Sequence, residues 1–275
     1  MPELPEVETV RRTLEPRIKN KKIDSVSVYY APLIKTHTAQ EFNQILVGRT
    51  VQSIDRIGKY LLFNFEEYTL ISHLRMEGKY YIKPLDSTIS KHEHLRFNLN
   101  DGTCLAYNDV RKFGTFDLKL NTELYQTLPL SKLGLEPFNP AFDEYYLKQK
   151  FMHKKQAIKP ALLDQTIVLG LGNIYVDEVL FCAKLHPEKK AHTIGLKRLK
   201  NIVQCSQVVL HKAIDLGGSS IRTYTDSLGV TGRFQNQLNV HMQLGKPCPL
   251  CDTPIMKIKV SGRGTYYCKK CQSKR

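Results

Sequence analysis

Four of the seven cysteines form two pairs near the end of the chain, where their type and spacing suit a metal ion. Cys248 and Cys251 are separated by two residues, as are Cys268 and Cys271, and sixteen residues lie between the pairs. Each short pair offers two sulfurs to one metal, which is the arrangement of a tetrahedral zinc site. We expect a structural Zn²⁺ rather than a disulfide or a redox pair, since this short segment needs the binding energy of a metal to fold.

The segment between the two cysteine pairs predicts a β-hairpin. Residues 256–260 and 265–267 are rich in strand-forming side chains, and the intervening SGRG forms the turn. Arg263 then lies at the hairpin tip between two glycines, so its side chain is not expected to be part of a hydrophobic core. Its guanidinium either points into solvent or contacts a phosphate group.

The chain begins MPELPE, which puts an unusual nitrogen beside carboxylates. The small side chain of Pro2 normally allows removal of Met1, and removal would expose a secondary amine next to Glu3. Glu6 and Pro5 also suit the first turn of a helix, because the helix dipole favours carboxylates there and proline needs no partner for its nitrogen. Good helix initiation alone would explain the same residues.

A glycine-rich turn, TIVLGLGN, lies between two predicted helices. Gly170 and Gly172 give a tight turn with exposed amides, and Asn173 is a candidate cap for the helix that follows. Such a turn binds phosphate at a helix N-terminus. Ordinary packing between helices explains it equally well.

The charge balance indicates a polyanionic partner. Lys and Arg number 41 against 26 Asp and Glu, a net charge of +15, and clustered cations gain affinity for nucleic acid by releasing counterions. The basic residues recur in three stretches: Lys19, Lys21 and Lys22; Lys148, Lys150, Lys154, Lys155 and Lys159; Lys269, Lys270, Lys274 and Arg275. A soluble, merely basic protein is the alternative explanation of the same charge.

The sequence also bears on the compartment. No apolar run reaches the length of a membrane span, and no secretory signal is visible, so we expect a cytoplasmic protein without a membrane partner. An odd number of cysteines argues against a disulfide framework. Cys104, Cys182 and Cys205 are isolated in apolar surroundings and are predicted to be buried free thiols.

The elements that position these residues predict an α+β protein of several domains. Val7, Val10, Leu14 and Ile18 form one apolar helix face that caps an N-terminal β-sandwich. The strands are predicted at 23–30, 44–57, 60–65, 69–74, 79–83, 94–99 and 103–107, with an Asp101-Gly102 hairpin turn before the last. Helices follow over DEYYLKQKF, KPALLD, NIYVDEVLFCAK and 196–216. The C-terminal helical domain is followed by the zinc ribbon.

We predict four segments along the chain. They are a β-sandwich domain at 1–130, a linker at 131–141, a helical domain at 142–237 and the zinc ribbon at 238–275. The glycine-rich stretch 217–236 is either a surface loop or a lid over a substrate.

Several motifs, in this order, resemble bacterial formamidopyrimidine-DNA glycosylase. They are MPELPEVETVRR, GKYLLF, HLRMEGKY, KHEH, YNDVRKFG, GLGNIYVDEVLF and the zinc ribbon with Arg263, and they extend from residue 2 to 271. The opening PELPEVE is more similar to this enzyme than to its relative endonuclease VIII. The resemblance implies a monomeric base-excision-repair glycosylase and AP lyase that acts on 8-oxoguanine and formamidopyrimidines in double-stranded DNA. It also implies that the β-sandwich is the catalytic domain and that the helical domain is a DNA-binding helix-two-turn-helix domain.

The resemblance also implies roles for the catalytic residues. The Pro2 amine attacks C1′ of the sugar, displaces the damaged base and forms an iminium, from which β- and δ-elimination cut the strand. Glu3 is the general acid and base. Lys59 and Arg263 donate a proton or hold phosphate, and Glu6 orders the site around the everted base.

A second set of residues contacts DNA by the same resemblance. Met76, Arg111 and Phe113 fill the gap that base eversion leaves in the duplex. His92, Arg111 and Lys154 contact DNA, and Asn173 belongs to the phosphate-binding turn. Two departures from the family lie elsewhere: His241, where the family often has tyrosine, and Lys184, where glycine is common.

Two further hypotheses stay open on the sequence. The chain is either a related glycosylase for oxidised pyrimidines or a non-catalytic, zinc-dependent DNA-binding protein. Pro2, Glu3, Lys59 and Arg263 argue against a pure binding protein, which needs none of them.

Overall fold

The computed structural model describes residues 1–219 and 232–274, which form two compact units. The first unit comprises Met1–Lys132 with Gly217–Gly232, and the second comprises Leu133–Leu216 with Arg233–Arg275. Most of the lid predicted over 217–236 lies outside the described residues. Within the described part, no helix is long and apolar enough to cross a membrane.

The first unit is a β-sandwich with two α-helices among its described residues. Its elements are α1 (Leu4–Ile18), β1 (Ile23–Val28), α2 (Ala39–Leu46), β2 (Ser53–Ile57), β3 (Tyr60–Asn64), β4 (Tyr68–His73), β5 (Lys79–Pro84), β6 (Glu93–Leu99), β7 (Thr103–Asn108) and β8 (Thr115–Leu120). The strands form two four-stranded antiparallel sheets, in the orders β1-β6-β7-β5 and β2-β3-β4-β8. Apolar side chains from both sheets share one core with α1 and α2, so the predicted β-sandwich is confirmed.

Helix α1 buries the apolar face that the sequence predicts. Val7, Val10, Leu14 and Ile18 are all at most 2% exposed, and the helix packs on β2 and β3. Burial of each such side chain contributes about 1.5–3 kcal/mol relative to an exposed one. This packing fixes the helix whose N-terminus follows Pro2.

The prediction of one strand over 44–57 was wrong, because its first residues belong to α2. The signal was present in the sequence as a capping box, the pattern Thr-x-x-Glu at a helix start. The Thr38 hydroxyl accepts the Glu41 amide at 3.2 Å, and Glu41 Oε2 accepts the Thr38 amide at 2.8 Å. Strand β8, with its alternating buried Phe116 and Leu118, was also not predicted.

The second unit is helical and carries the C-terminal hairpin. Its α-helices and strands are α3 (Glu144–Phe151), α4 (Ile158–Leu163), α5 (Asn173–Cys182), α6 (Leu196–Asp215), β9 (Met256–Val260) and β10 (Arg263–Tyr267). The predicted helices and the predicted hairpin are confirmed. Among the described residues, strands β9 and β10 form a separate two-stranded sheet.

Two of the three cysteines outside the pairs differ from the prediction of buried free thiols. Cys182, at the end of α5, is exposed and forms a disulfide with Cys205 of α6. The two are 23 residues apart in the chain, and the packing of α5 against α6 that brings them together is a tertiary feature with no local sequence signal. Cys104 in β7 is a buried free thiol, as predicted.

Candidate functional site

The N-terminus of α1 places Pro2 and two carboxylates in a buried setting. Glu3 is the N-cap residue of α1, and both Glu3 and Glu6 are 3% exposed. Glu6 Oε2 accepts the backbone amide of Glu3 at 2.8 Å, while Glu6 Oε1 accepts the amide of Ser219 at 2.6 Å. Glu6 therefore holds the turn around Pro2 and also anchors the residues that lead into the predicted lid.

Gly218 is required where the chain approaches Glu6. Its φ is +76°, and an added Cβ would lie 2.8 Å from Glu6 Oε1 and 3.2 Å from Glu6 Cα. Both the left-handed conformation and the close approach exclude other residues. The segment that begins the predicted lid is thus fitted to Glu6.

Lys59 lies in the two-residue turn between β2 and β3 and is 4% exposed. Arg56 fixes this turn, since its Nη1 donates to the carbonyl of Gly58 at 3.0 Å and its Nε donates to Glu8 Oε2 at 3.0 Å. Glu8 belongs to α1, so the turn carrying Lys59 is tied to the helix that begins beside Pro2. The role of Arg56 could not be predicted from the sequence, because an arginine in a β-strand is usually an ordinary exposed residue.

Glu8 stays ionised in this network. Burial alone would raise the pKa of its carboxyl group, but hydrogen bonds from Arg11, Arg12 and Arg56 outweigh it and lower the pKa to about 2. A permanent carboxylate is what keeps Arg56 oriented toward the Lys59 turn.

Met76 follows β4 in a turn that His73 organises. His73 Nδ1 accepts the amide of Arg75 at 2.9 Å, and Arg75 has a left-handed φ of 53°. Burial lowers the pKa of His73 to about 3, with Arg75 and Lys59 acting in the same direction, so the imidazole is neutral near pH 7. The Met76 side chain is 38% exposed, which leaves it available for contact with a partner.

Arg111 and Phe113 are exposed on a loop that a buried aspartate organises. Asp109 is 1% exposed, and its carboxylate accepts the amides of Arg111, Phe113 and Gly114, each at 2.9 Å. The Arg111 guanidinium lies 4.6 Å from the centre of the Phe113 ring. The role of Asp109 was not predicted, although an aspartate whose side chain accepts the backbone amide two residues later is a known turn motif.

Two further contacts complete this loop. The amide of Asp109 donates to the carbonyl of the half-buried His92 at 2.9 Å, so His92 is joined to the loop through its backbone. Gly114 has no room for a side chain, because a Cβ would lie 1.8 Å from the Tyr107 hydroxyl.

The basic stretch at 148–159 in the second unit is less uniform than its sequence indicates. Lys154 is partly exposed and forms a salt bridge with Asp164 at 3.4 Å. Lys159 is fully buried, so its assignment to a DNA-binding basic surface was wrong. Lys159 lies three residues before the buried Leu162, so both share the buried face of this short helix.

The glycine turn before α5 differs in one detail from the prediction. Gly172 is the N-cap residue and Asn173 is the first residue of the helix. The Asn173 side chain Nδ2 donates to the carbonyl of Gly264 in β10 at 3.1 Å. Asn173 therefore supports the C-terminal hairpin as well as beginning α5.

Arg263 is exposed at the start of β10, next to the hairpin turn. The turn residues Ser261 and Gly262 both have left-handed φ values, 46° and 79°, which matches the tight two-residue turn of a twisted hairpin. Arg263 therefore lies beside the tip, as the first residue of β10 paired with Val260, and not within the turn itself as the sequence predicts.

The four paired cysteines converge on one point. Their sulfur atoms all lie within 4.8 Å of one another, with separations of 3.9 Å for Cys248–Cys271 and 3.5 Å for Cys251–Cys268. Four sulfurs at about 2.3 Å from a tetrahedral zinc would be roughly 3.8 Å apart. Burial raises the pKa of Cys248 and of Cys271, so a cation is needed to hold both as thiolates. The cluster fits one structural zinc.

Comparisons with known proteins match this architecture along the chain. Residues 1–116 match the formamidopyrimidine-DNA glycosylase N-terminal domain, 133–225 match the formamidopyrimidine-DNA glycosylase H2TH domain, and 245–274 match a zinc finger found in FPG and IleRS. The formamidopyrimidine-DNA glycosylase of Bacillus subtilis is 49% identical over 276 residues and is covered, like this chain, over 100% of its length. The chain belongs to the formamidopyrimidine-DNA glycosylase family.

Solved structures of family members agree. The wild-type Lactococcus lactis FPG, bound to DNA containing N7-benzyl-Fapy-dG, is 46% identical with a TM-score of 0.92, and the match covers 99% of this chain and 100% of that one. The same protein bound to DNA with an oxidised pyrimidine is 45% identical, with a TM-score of 0.92 and the same coverage. Family membership confirms the predicted resemblance, the fold class, the DNA glycosylase class of base excision repair and the structural zinc.

The two departures from the family have visible consequences in the structure. Lys184 has a left-handed φ of 52° directly after the end of α5, which explains why glycine is common there. His241 Nδ1 lies 2.8 Å from Asp177 Oδ2, so the imidazole contacts a carboxylate that helps to hold the hairpin.

Proposed function

We propose that this family member is a bifunctional glycosylase and AP lyase that excises oxidised purines from duplex DNA through the nitrogen of Pro2. Removal of Met1 would free a secondary amine, which attacks C1′ and displaces the damaged base as the leaving group. The C1′–O4′ bond of this adduct then breaks, with a proton added to O4′, and gives an iminium that acidifies the C2′ proton. Loss of that proton breaks the 3′ C–O bond in β-elimination, and δ-elimination then releases the 5′ phosphate.

One observation carries this proposal: Pro2 directly precedes the N-cap residue of a helix whose first turn presents two buried carboxylates. Glu3 would give a proton to the departing base or to the ring oxygen of the deoxyribose, and later remove one. Glu6, through its hydrogen bonds to Glu3 and Ser219, would keep the nucleophile and the base-covering segment in place.

Lys59 and Arg263 would act during elimination. Arg56 and Glu8 hold the turn that carries Lys59 in one conformation. A proton donor or phosphate ligand needs such a fixed position. Arg263 offers a forked cation for a phosphate group.

Met76, Arg111 and Phe113 would fill the gap left by the everted base. A flexible thioether, a cation and an aromatic ring suit insertion into a base stack. All three side chains are exposed, although Met76 and Phe113 are apolar. His92, Lys154 and the start of α5 at Asn173 would contact the DNA backbone, as the charge of +15 favours.

Substitution of Pro2 tests the nucleophile. A processed Pro2→Gly variant should excise 8-oxoguanine on the order of 100-fold or more slowly than wild type. Pro5→Ala is the matched control, since it changes a proline in the same turn without touching the amine. Borohydride should trap the wild type and the control on lesion DNA. Equal trapping and cleavage by Pro2→Gly would overturn the assignment.

A second candidate substrate class is oxidised pyrimidines, because the L. lactis relative has been solved with DNA of that kind. Cleavage of 8-oxoguanine opposite cytosine should exceed cleavage of thymine glycol in the same duplex. The reverse ranking would favour the second candidate.

A non-catalytic DNA-binding role makes a different prediction. Mass spectrometry should find Met1 absent from most purified molecules, whereas retained Met1 would favour binding alone. We also propose that the protein acts in the cytoplasm as a monomer, because one chain carries every residue assigned to the chemistry.

A further inference from the structure

Lys159 is the most deeply buried lysine whose role the proposed chemistry does not explain. Its side chain in α4 has no exposed surface. Burial of an ammonium group costs several kcal/mol unless it is paired and hydrogen-bonded. The fold therefore provides specific partners for it.

The Lys159 ammonium group lies within hydrogen-bond distance of acceptors on α5 and β10, and it carries three N–H donors. Nζ lies 2.8 Å from Asp177 Oδ1, 2.9 Å from Thr265 Oγ1 and 3.1 Å from the carbonyl oxygen of Gly264. Two of these acceptors belong to β10. The buried lysine thus joins α4 and α5 to the strand that begins with Arg263.

The hydrogen bonds continue to the backbone of Arg263 itself. The Thr265 hydroxyl accepts from Lys159 and donates to the carbonyl of Arg263 at 3.0 Å. Asn173 Nδ2 donates to the neighbouring carbonyl of Gly264. The carbonyl group of Gly264 is therefore held by α4 and α5, and the carbonyl group of Arg263 is held by the Thr265 hydroxyl, which Lys159 of α4 contacts.

Asp177 keeps the lysine in place through its second oxygen. Oδ2 lies 2.8 Å from His241 Nδ1 and accepts the backbone amide of Tyr266 at 3.2 Å. Asp177 and Lys159 both have fully buried side chains. The carboxylate is thereby oriented by two groups that are independent of the lysine.

This construction is not explained by stability alone. A buried ion pair is often no more stabilising than apolar residues of the same volume, whereas it does impose one orientation on its partners. A two-stranded hairpin such as β9–β10 is marginal on its own and needs external support to hold a side chain in position. A displacement of about 1 Å of a reacting group costs on the order of 100-fold in rate.

We propose that Lys159 and Thr265 form a buried link that fixes the backbone at Arg263 and so positions the guanidinium for the elimination steps. Both are positioning residues, and neither touches the DNA. The inference rests on the proposed role of Arg263.

Thr265→Val and Thr265→Ser test the link with little change of volume. Valine keeps the shape but removes the hydroxyl, while serine keeps the hydroxyl. Thr265→Val should lower kcat for strand cleavage of lesion DNA by about 10- to 100-fold with little change in KM. Thr265→Ser should recover most of that loss, and all variants should bind one zinc per chain.

Combination with Arg263→Ala distinguishes positioning from general stability. If Thr265 acts through Arg263, Thr265→Val should cause no further loss in the Arg263→Ala background, because interacting sites are not additive. Lys159→Met should likewise lower kcat in the wild-type background and cause no further loss in the Arg263→Ala background, provided that it binds one zinc per chain. If it loses zinc, the comparison of Thr265→Val with Thr265→Ser tests the link by itself.

The outcomes that contradict the inference are separable. Wild-type kcat for Thr265→Val, or a loss that adds fully to that of Arg263→Ala, would overturn the link while leaving the role of Arg263 intact. Wild-type kcat for Arg263→Ala would overturn the proposed role of Arg263, and the inference with it.

Discussion

At the residue scale, His73 shows how burial fixes a protonation state. Its Nδ1 accepts the Arg75 amide, and its ring contacts Tyr60 edge-on at 4.6 Å between centroids. Burial and the charges of Arg75 and Lys59 lower its pKa to about 3, against about 6.5 in an unfolded chain. The folded state therefore binds fewer protons than the unfolded state between these two pH values.

This difference predicts acid sensitivity. The contribution of a neutral His73 to stability is fully present above pH 6.5 and is lost progressively as the pH falls toward 3. Stability should decrease by at most about 1.4 kcal/mol per pH unit in that range. Glu8, with its pKa of about 2, begins to lose its contribution only below about pH 4.5.

A His73→Asn variant isolates the effect, because asparagine can accept the same amide without titrating. Urea unfolding of both proteins at pH 7.5 and at pH 5.5 should show a smaller loss for the variant. The absolute stability of the variant is not the observable, since the contact with Tyr60 is also removed. Parallel losses in the two proteins would contradict the assignment of His73.

Residues with a local pattern could be predicted from sequence, whereas buried polar residues could not. The spacing of Cys248, Cys251, Cys268 and Cys271 alone defines a metal site, and the resemblance supplied Pro2, Glu3, Lys59 and Arg263. Lys159 was assigned to a basic surface because its charge is visible in the sequence and its burial is not. Its partners Asp177 and Thr265 lie 18 and 106 residues away, so only the tertiary fold brings them together.

At the scale of elements, strong periodicity decided which predictions were confirmed. The face of α1 and the length of α6 were readable because apolar residues recur every three or four positions. Helix α2 has only eight residues, with Phe42 and Leu46 buried one turn apart, and its capping box was the stronger signal. The turn around Asp109 has no periodicity at all, because a single carboxylate determines its shape.

The loop from Asp109 to Gly114 yields a prediction about base eversion. Asp109→Ala leaves the amides of Arg111, Phe113 and Gly114 without their acceptor, at about 1–3 kcal/mol for each that stays buried. Arg111 and Phe113 would then no longer be presented in one conformation. Excision of 8-oxoguanine should fall by about 10-fold or more, whereas cleavage at a preformed abasic site, which has no base to evert, should fall less.

Asp101→Ala is the matched control for Asp109→Ala. Asp101 also accepts a backbone amide two residues ahead, that of Thr103 at 3.1 Å, but in the hairpin turn between β6 and β7. In gel assays, Asp101→Ala should cleave both substrates at the wild-type rate. Equal losses on both substrates for Asp109→Ala would indicate general destabilisation and contradict the role in eversion.

At the scale of the whole molecule, the two units have separate cores. The apolar core of the first unit draws its residues from between Val7 and Leu118. In the second unit, Cys248 and Cys268 pack with Phe181, Val240 and Ile255, so the zinc ligands are part of a small core. The metal therefore stabilises a structure that the first unit does not need for its own folding.

Metal removal should separate the two units functionally. A structural zinc contributes on the order of 10 kcal/mol to folding of its domain, so chelation should unfold the hairpin that carries Arg263 and weaken binding to lesion duplex by at least about 10-fold. Hydrogen exchange should remain slow in β1–β8.

Cys251→Ser should reproduce the loss of DNA affinity. Cys104→Ser is the matched control, because it changes a buried thiol of β7 outside the cluster, and it should keep one zinc per chain and full DNA affinity. Fluorescence anisotropy with zinc content measured on the same samples checks both, and full affinity after verified loss of zinc would contradict the role of the ribbon.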